Sequence, residues 1–356
     1  MERDTLSMRQ LMAILWAGLL GPAAELLPGT AARAGGVGAL GVTAAGAGML
    51  ASGWALWRLA RRSGNLACGI RDAYGGFLGK VILFIYMVWC QIWFAVRLRQ
   101  SARRLVGGGQ HDGAVWFFVI VLGLMALWFA RGRLGAFGRA GELMFVCLAV
   151  TGGVVLVLAL RQVRAENLLA AWNWGLEDGA DLIWPGAGVL GYGLFAGFLM
   201  RPKNQEQAGR KWVGWTGMGC VALILAQIVA LGTFGPALTG RLDSPFFHLA
   251  KGVAVEGAFQ RVESVVAAIW TFSDLILLGT ILWAVRNIGG TLWPGMPGHS
   301  VVTASALVGI VLGIALLGGR LPLPSVPERI LTFGSLILGL GVPLLAMGTK
   351  ERKGRG

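Results

Sequence analysis

Ten long apolar segments follow one another along this chain, and they constrain its fold more than any other feature. They lie near residues 6–28, 35–57, 77–96, 114–131, 139–160, 182–201, 212–236, 261–285, 300–319 and 328–348. About 20 apolar residues in an α-helix span the hydrocarbon core of a bilayer. Because only 13% of the residues are charged, we predict an all-α integral membrane protein with about ten transmembrane helices. Numbered in chain order, the ten segments are spans 1 to 10.

The basic residues are distributed unequally between the two sides of the predicted membrane. If the N-terminus is cytoplasmic, most of the 31 lysines and arginines fall on the cytoplasmic side, whereas many acidic residues fall outside. Cytoplasmic loops of membrane proteins carry such an excess of positive charge. We therefore predict that both termini are cytoplasmic, and we attribute the net charge of +14 to topology rather than to nucleic-acid binding. The segment RLRQSARR, residues 97–104, is a basic exception on the outer side.

Several classes of catalytic or cofactor site are not expected. The four cysteines show no C-x-x-C spacing and the three histidines lie far apart, so no metal site or disulfide framework is predicted. GVGALG at 36–41 and GAGVLG at 186–191 have the spacing of a dinucleotide fingerprint, but neither follows a strand or precedes a suitably placed acid. We interpret these glycines as helix-packing residues and expect no cofactor. Without a catalytic cluster, we also expect no enzymatic activity.

The ten spans divide into two halves of five, and the first span of each half contains residues that interrupt helices. Span 1 contains Gly21 and Pro22, and span 6 contains the glycine-rich stretch WPGAGVLGYGLFAG, residues 184–197. Interrupted helices at matching positions mark the substrate site in transporters built from inverted repeats. The alternative is that these residues only permit kinks and close packing. We predict a ligand site that includes Gly21, Pro22, Gly188, Gly191 and Gly193.

This division gives the expected organisation of the chain as a single membrane domain. Repeat one covers about 6–160, an outer loop covers 161–181, repeat two covers about 182–348, and a cytoplasmic tail covers 349–356.

Two acidic residues inside the spans are candidates for function. Asp274, in WTFSDLILL near the middle of span 8, could couple a proton or cation, or bind a ligand ammonium group. The alternative is a hydrogen-bonded link between helices. Glu25 follows the interruption in span 1 by one turn, and we predict that it forms an ion pair with Arg97 near the outer end of span 3. The alternative for Glu25 is contact with water outside the membrane.

Several stretches, in order, resemble the spore germination permease family of the amino acid/polyamine/organocation transporter superfamily. They are TLSMRQLMAIL and LLPGTAARAG near the start, RGRLGAFGRAGELMF at 131–145, ENLLAAWNWG at 166–175, FLMRPKN at 198–204, and SPFFHLAKG followed by GAFQRVESVVAAIW at 244–270. The residues that match the family's motifs, with an expected structural role, are Arg139, Glu142, Pro202, Pro245, Arg261, Glu263 and Trp270. The resemblance covers nearly the whole chain.

The resemblance implies a LeuT-type five-plus-five inverted repeat and the B-type subunit of a germinant receptor in the inner membrane of a bacterial spore. It implies no enzymatic activity and two partners, an A-type membrane subunit and a C-type lipoprotein. It also implies that the backbone of Gly21 meets a ligand carboxylate and that Trp89 and Leu277 face the pocket. The family usually carries glutamates where this chain has Arg97 and Ala196.

Three functions follow as hypotheses. The first is a subunit that senses a small germinant, such as an amino acid, at the interrupted spans 1 and 6. The second is a secondary transporter for amino acids or cations that uses Asp274 or Glu25 as its coupling acid. The third is a structural receptor subunit that has lost ligand binding, which the absence of family carboxylates at positions 97 and 196 keeps open.

Overall fold

The computed structural model describes residues 5–34, 38–107, 114–171, 186–189, 191–200, 208–242, 244–252, 262–317 and 328–348. Their helices are α1 (Met8–Ala34), α2 (Gly38–Ser63), α3 (Leu66–Tyr74), α4 (Gly76–Gly107), α5 (Val115–Arg131), α6 (Leu134–Ala159), α7 (Ala165–Ala171), α8 (Gly193–Gly197), α9 (Ala208–Thr239), α10 (Pro245–Gly252), α11 (Val262–Leu292), α12 (Gly298–Leu317), α13 (Glu328–Leu336) and α14 (Val342–Gly348). A 3₁₀ turn, Leu160–Gln162, follows α6, and a π-helical segment, Ile337–Gly341, joins α13 to α14.

Each of the ten predicted spans overlaps a helix or a helical segment, so the all-α membrane architecture is confirmed. Within the described residues, five helices are long and apolar enough to cross a bilayer: Gly76–Val106, Leu134–Gln162, Gly209–Thr239, Ala268–Leu292 and Gly298–Ala315. Large apolar side chains are exposed on the outside of the bundle, for example Val150 and Val157 on α6 and Trp128 on α5. Such a surface suits lipid rather than water.

The predicted interruption at Gly21 and Pro22 is wrong, because α1 is one continuous helix with Pro22 and Pro28 inside it. A proline removes only one donor from the helical ladder, and neighbouring helices can compensate for the freed groups in a membrane protein. Here the side chains of other helices hold α1: the Ser273 hydroxyl donates to the Ala17 carbonyl, and Gln227 donates to the Leu27 carbonyl at 3.4 Å. Tertiary packing therefore keeps α1 helical.

Span 6 is interrupted as predicted. Residues 186–189 are helical, residues 191–192 form a turn, and α8 is a single short helix. After the turn, several hydrogen bonds join an amide to the carbonyl three residues earlier, as from Leu194 to Gly191 and from Phe195 to Tyr192, both at 3.1 Å. These are the tight bonds of a 3₁₀ helix. Residues 186–189 and 191–200 are named the interrupted segment below.

A second irregularity lies near the end of α9. Gly235 has φ +73°, a conformation that glycine adopts at little cost, and Pro236 follows it. Since Pro236 cannot donate, the Gly232 carbonyl loses its helical partner. That carbonyl accepts instead from the Asn167 side chain of α7 at 2.8 Å and from the Arg164 amide at 3.0 Å. These two residues, from an earlier part of the chain, thus stabilise the kink.

Span 10 packs on α3 and α4 through hydrogen bonds at and beside its π-helical segment. The Tyr86 hydroxyl donates to the Leu338 carbonyl, and the Tyr74 hydroxyl donates to the Val342 carbonyl at 2.7 Å. One turn earlier, the Trp89 indole donates to the Ser335 hydroxyl oxygen at 3.3 Å. A π-helical turn leaves carbonyls without their usual α-helical partners, and the Tyr86 hydroxyl contacts one such carbonyl, that of Leu338.

Candidate functional site

A buried ion cluster joins α4 to α11. Arg97 lies 3.4 Å from one carboxylate oxygen of Asp274, and Arg104 lies 3.0 Å from the other. The side chains of Asp274, Arg97 and Arg104 are 3%, 8% and 11% exposed, so water screens these contacts little. Arg97 also donates to the Gln100 side chain at 2.8 Å. The two arginines are seven residues apart, which places them two turns apart on one face of α4.

Tyr192 connects this cluster to the interrupted segment. The Arg97 guanidinium lies over the Tyr192 ring, 5.6 Å from its centre, in a cation–π contact. The Trp93 ring meets the same tyrosine edge-on, with ring centres 4.6 Å apart. Trp93 and Arg97 are four residues apart, so both side chains lie on the face of α4 that meets the interrupted segment.

Two buried donors beside Tyr192 have no acceptor among the described residues. They are the indole N–H of Trp93 and the Nε–H of Arg97. Trp93 is 7% exposed and Arg97 is 6% exposed. Buried polar groups in folded proteins are nearly always hydrogen-bonded, and an unpaired one costs about 1–3 kcal/mol. An anionic or acceptor-rich group that reached either of these donors, one of which is cationic, would be stabilised.

Helices α1 and α11 are in direct contact at the predicted ligand residues of span 1. A Cβ at Gly18 would lie 3.2 Å from the Leu277 backbone, and a Cβ at Gly21 would lie 2.8 Å from the Ser273 hydroxyl oxygen. Leu277 is buried against α1. In this conformation α1 packs directly on α11 at Gly18 and at Gly21.

The remaining predicted site residues lie on the other side of the interrupted segment, against span 10. Trp89 stacks over Gly334, and Gly188 and Gly191 approach Thr332 and Ser335 of α13. Gly193 faces Met49 of α2 instead. The structure therefore separates the predicted residues into two groups rather than bringing them together in one pocket.

A cavity of about 120 Å³ borders this second group. It lies between α2, the interrupted segment, the start of α9 and span 10, and its wall includes Gly191, Gly193 and Ser335. Most of its lining is apolar.

The predicted pair of Glu25 with Arg97 stays a prediction. Glu25 lies within α1, but its side chain is outside the described residues. In the described part of the chain, the carboxylate that contacts Arg97 is Asp274.

The family-motif residues are placed as follows. Glu142 forms an ion pair with Arg9 at 3.1 Å, which links α6 to the start of α1, whereas Arg139 is exposed. Pro245 is the first residue of α10, and Trp270 is buried beside Phe246 and Phe247 of that helix. Pro202, Arg261 and the side chain of Glu263 lie outside the described residues.

Sequence reasoning missed Arg104, Trp93 and Tyr192 as parts of this site. The signal for Arg104 was present, because RLRQSARR is the segment that departs from the positive-inside rule. Basic residues on the wrong side of a membrane can indicate a buried acid that pairs with them.

Comparisons with known proteins identify the family and the fold. A family model described as "Spore germination protein" matches residues 5–317. The chain belongs to the spore germination protein family. Among solved structures, MhsT in complex with L-phenylalanine is similar, with a TM-score of 0.74 and 12% identity over 97% of this chain and 88% of that one. This confirms the LeuT-type fold of five plus five helices and a permease-like or receptor-like membrane protein.

Curated relatives match a shorter part of the chain. One component of the ion-translocating oxidoreductase complex of Vibrio vulnificus, from strains YJ016 and CMCP6, is 27% identical over 201 residues. The match covers 49% of this chain and 52% of each relative, so the chain spans about half the length of the curated relatives it matches.

Proposed function

We propose that this chain is the membrane-embedded, germinant-binding subunit of a spore germination receptor, and that it binds the carboxylate of a small molecule such as an amino acid beside Tyr192. The observation that supports this proposal is the pair of buried donors without acceptors among the described residues, Trp93 Nε1–H and Arg97 Nε–H. A carboxylate offers two oxygens and a negative charge, and arginine binds such groups through directed, charge-assisted hydrogen bonds.

The fold supports an amino acid as the ligand class, by analogy only. MhsT, which shares the fold, was solved in complex with L-phenylalanine. A shared fold does not determine which ligand binds. The proposal therefore rests on the two donors named above, and the analogy is used only to choose the compounds to test.

The ion cluster favours sensing over ion-coupled transport. A coupling carboxylate must bind and release a cation or a proton. Both oxygens of Asp274 contact a guanidinium, and the carboxylate is almost fully buried, so an added cation would gain little there. The curated relatives have ion translocation in their name, but this arrangement supports a structural and signalling role for Asp274.

The contact between α1 and α11 favours a second candidate, a structural subunit without a ligand. Spans 1 and 8 pack directly on each other at Gly18 and Gly21, where the family resemblance placed the ligand. Under the leading proposal, the ligand binds on the α4 side of the interrupted segment instead.

The proposed setting comes from the family resemblance. The subunit lies in the inner membrane of the spore with both termini cytoplasmic and contacts an A-type membrane subunit and a C-type lipoprotein. It has no enzymatic activity of its own. Its repeats cover about 6–160 and 182–348, with an outer loop at 161–181 and a cytoplasmic tail at 349–356.

Ligand-dependent thermal stability of the purified protein tests the proposal. Binding to the native state raises the melting temperature in proportion to ln(1 + [ligand]/Kd). A panel of L-amino acids and their amides is compared, because the amides lack the carboxylate. We expect at least one amino acid to stabilise the protein and its amide to fail.

Trp93→Phe keeps the ring against Tyr192 but removes the N–H. A hydrogen bond to a charged group contributes about 1.5–3 kcal/mol, so we expect affinity to fall roughly 10-fold to 100-fold. Trp128→Phe, on the lipid-facing side of α5, is the matched control and should bind normally. No stabilisation by any compound would support the structural subunit, and equal binding by Trp93→Phe would place the ligand elsewhere. Concentrative uptake of the bound compound into proteoliposomes would support the transporter.

A further inference from the structure

The cavity beside span 10 has the properties of a second, separate binding site. It measures about 120 Å³ and lies on the side of the interrupted segment that faces α2 and span 10. The ion cluster with Asp274 is on the α4 and α11 side, so the carboxylate site proposed above and this cavity share only the interrupted segment.

Small residues create the cavity. A Cβ at Gly48 would meet nothing within 4 Å, which means that the space in front of Gly48 is empty. At Gly193 the nearest side-chain atom to such a Cβ is 3.6 Å away, on Met49. Protein interiors are otherwise packed as densely as organic crystals, so an opening of this size costs dispersion contacts.

One wall of the cavity carries a polar group without a partner among the described residues. The indole of Trp212 is 5% exposed, and its N–H has no acceptor there. The indole packs directly on Gly53, where an added Cβ would clash with Nε1, so the N–H edge is at the glycine-lined wall. Ser335, also on the wall, already accepts a hydrogen bond from Trp89. Trp212 is thus a donor that an acceptor within the cavity would satisfy.

The size and lining restrict the class of ligand. An apolar protein cavity of about 150 Å³ can bind benzene, so this one suits roughly six non-hydrogen atoms or fewer. Its mostly apolar lining excludes a charged molecule. Ala44, on the α2 wall, is exposed on the apolar surface of the bundle, which gives a molecule dissolved in the bilayer a route in.

We infer that this cavity binds a small, uncharged and mostly apolar molecule that carries one hydrogen-bond acceptor, such as a cyclic ketone, with Trp212 Nε1–H as the donor. The occupant contacts Gly191 and Gly193 of the interrupted segment and Ser335 of span 10. It therefore fixes the spacing between the interrupted segment and span 10.

The test uses the full chain in lipid nanodiscs, with ¹⁵N in its tryptophan indoles and cyclopentanone as the probe. Trp212→Phe identifies the Trp212 indole signal in the proton–nitrogen spectrum. We expect the ketone to shift this signal in a saturable way. Gly48→Leu places a side chain in the empty space and should reduce the apparent affinity at least tenfold. Gly217→Leu, at an open position on the exposed face of α9, should leave the titration unchanged.

Two results would overturn the inference. One is a Trp212 signal that moves linearly together with the other indole signals, because that behaviour reports only partition of the ketone into lipid. The other is an unchanged, saturable Trp212 shift in a Gly48→Leu protein whose remaining indole spectrum is native. If Gly48→Leu fails to fold, the titration of the wild-type protein alone still decides between saturable and linear behaviour.

Discussion

The substitution Asp274→Asn should lower the free energy of unfolding strongly, although it changes the shape and volume of the side chain very little. Asparagine keeps one acceptor oxygen, but it replaces the other with an amide NH2 group, which cannot accept a hydrogen bond from a guanidinium. The change also removes the negative charge that contacts two buried arginines at 3.4 Å and 3.0 Å. Removing one partner of a buried ion pair costs about 3–5 kcal/mol, because the remaining charge stays buried without compensation. We expect a loss in that range.

The measurement is the free energy of unfolding in mixed micelles, from SDS titration followed by far-ultraviolet circular dichroism. Glu142→Gln is the matched control, because it also turns an acid into its amide in an ion pair. The Arg9 side chain of that pair is 71% exposed and the Glu142 side chain is 26% exposed. An exposed pair contributes about 0–1 kcal/mol, so this variant should change the free energy of unfolding by less than about 1 kcal/mol.

The reasoning is refuted if Asp274→Asn loses no more stability than Glu142→Gln. A second comparison separates charge from packing. Replacing the whole cluster, as Arg97→Met, Arg104→Met and Asp274→Leu together, removes the buried charges as well as their attraction. This triple variant should therefore be more stable than Asp274→Asn. If it is less stable, lost hydrogen bonds rather than uncompensated charge account for most of the destabilisation.

Two further substitutions test the packing of α1 and the kink of α9. Gly21→Ala places a Cβ 2.8 Å from the Ser273 hydroxyl oxygen, whereas the control Gly152→Ala on α6 places its Cβ in open space. Helix propensity favours both changes equally. In the same SDS titration, Gly21→Ala should therefore be less stable than Gly152→Ala by about 1–3 kcal/mol. Asn167→Ala removes the 2.8 Å hydrogen bond to the Gly232 carbonyl. Because that carbonyl keeps the Arg164 amide as a donor, the loss should be about 0.5–1.5 kcal/mol. We also expect faster amide hydrogen exchange at the end of α9, and unchanged exchange there would contradict this role.

The positions of the helices could be predicted from the sequence because lipid restricts the backbone conformations that a membrane-spanning segment can adopt. A segment in the hydrocarbon core must satisfy its own backbone hydrogen bonds, so a long apolar run becomes a helix whatever its neighbours are. The same logic identified span 6 as irregular, where several glycines cluster. It failed for span 1, because each of its two prolines removes only one hydrogen bond, and packing against other helices, including contacts with Ser273 and Gln227, keeps α1 helical. Those two residues belong to distant parts of the chain, 256 and 200 positions from the carbonyls that they contact.

The partners within the site were harder to predict for a similar reason. The sequence predicted that Glu25 pairs with Arg97, and it gave Asp274 separate roles in coupling or ligand binding. Charge and hydropathy do not specify which face of a helix a residue occupies relative to a helix 177 positions away. The stacking of Arg97 on Tyr192 depends on the same long-range geometry. The unpaired donors of Trp93 and Trp212 can be recognised only once their neighbours are placed.

The hydrogen bonds to span 10 have a consequence for how the protein is made. Three side chains that donate to this span, those of Tyr74, Tyr86 and Trp89, belong to α3 and α4. During synthesis these donors enter the membrane long before α13 and α14 leave the ribosome. The final span thus inserts beside hydroxyl and indole groups that are already in place. A ribosome stalled before residue 328 would leave a bundle with a polar seam facing lipid, which quality-control proteases could recognise.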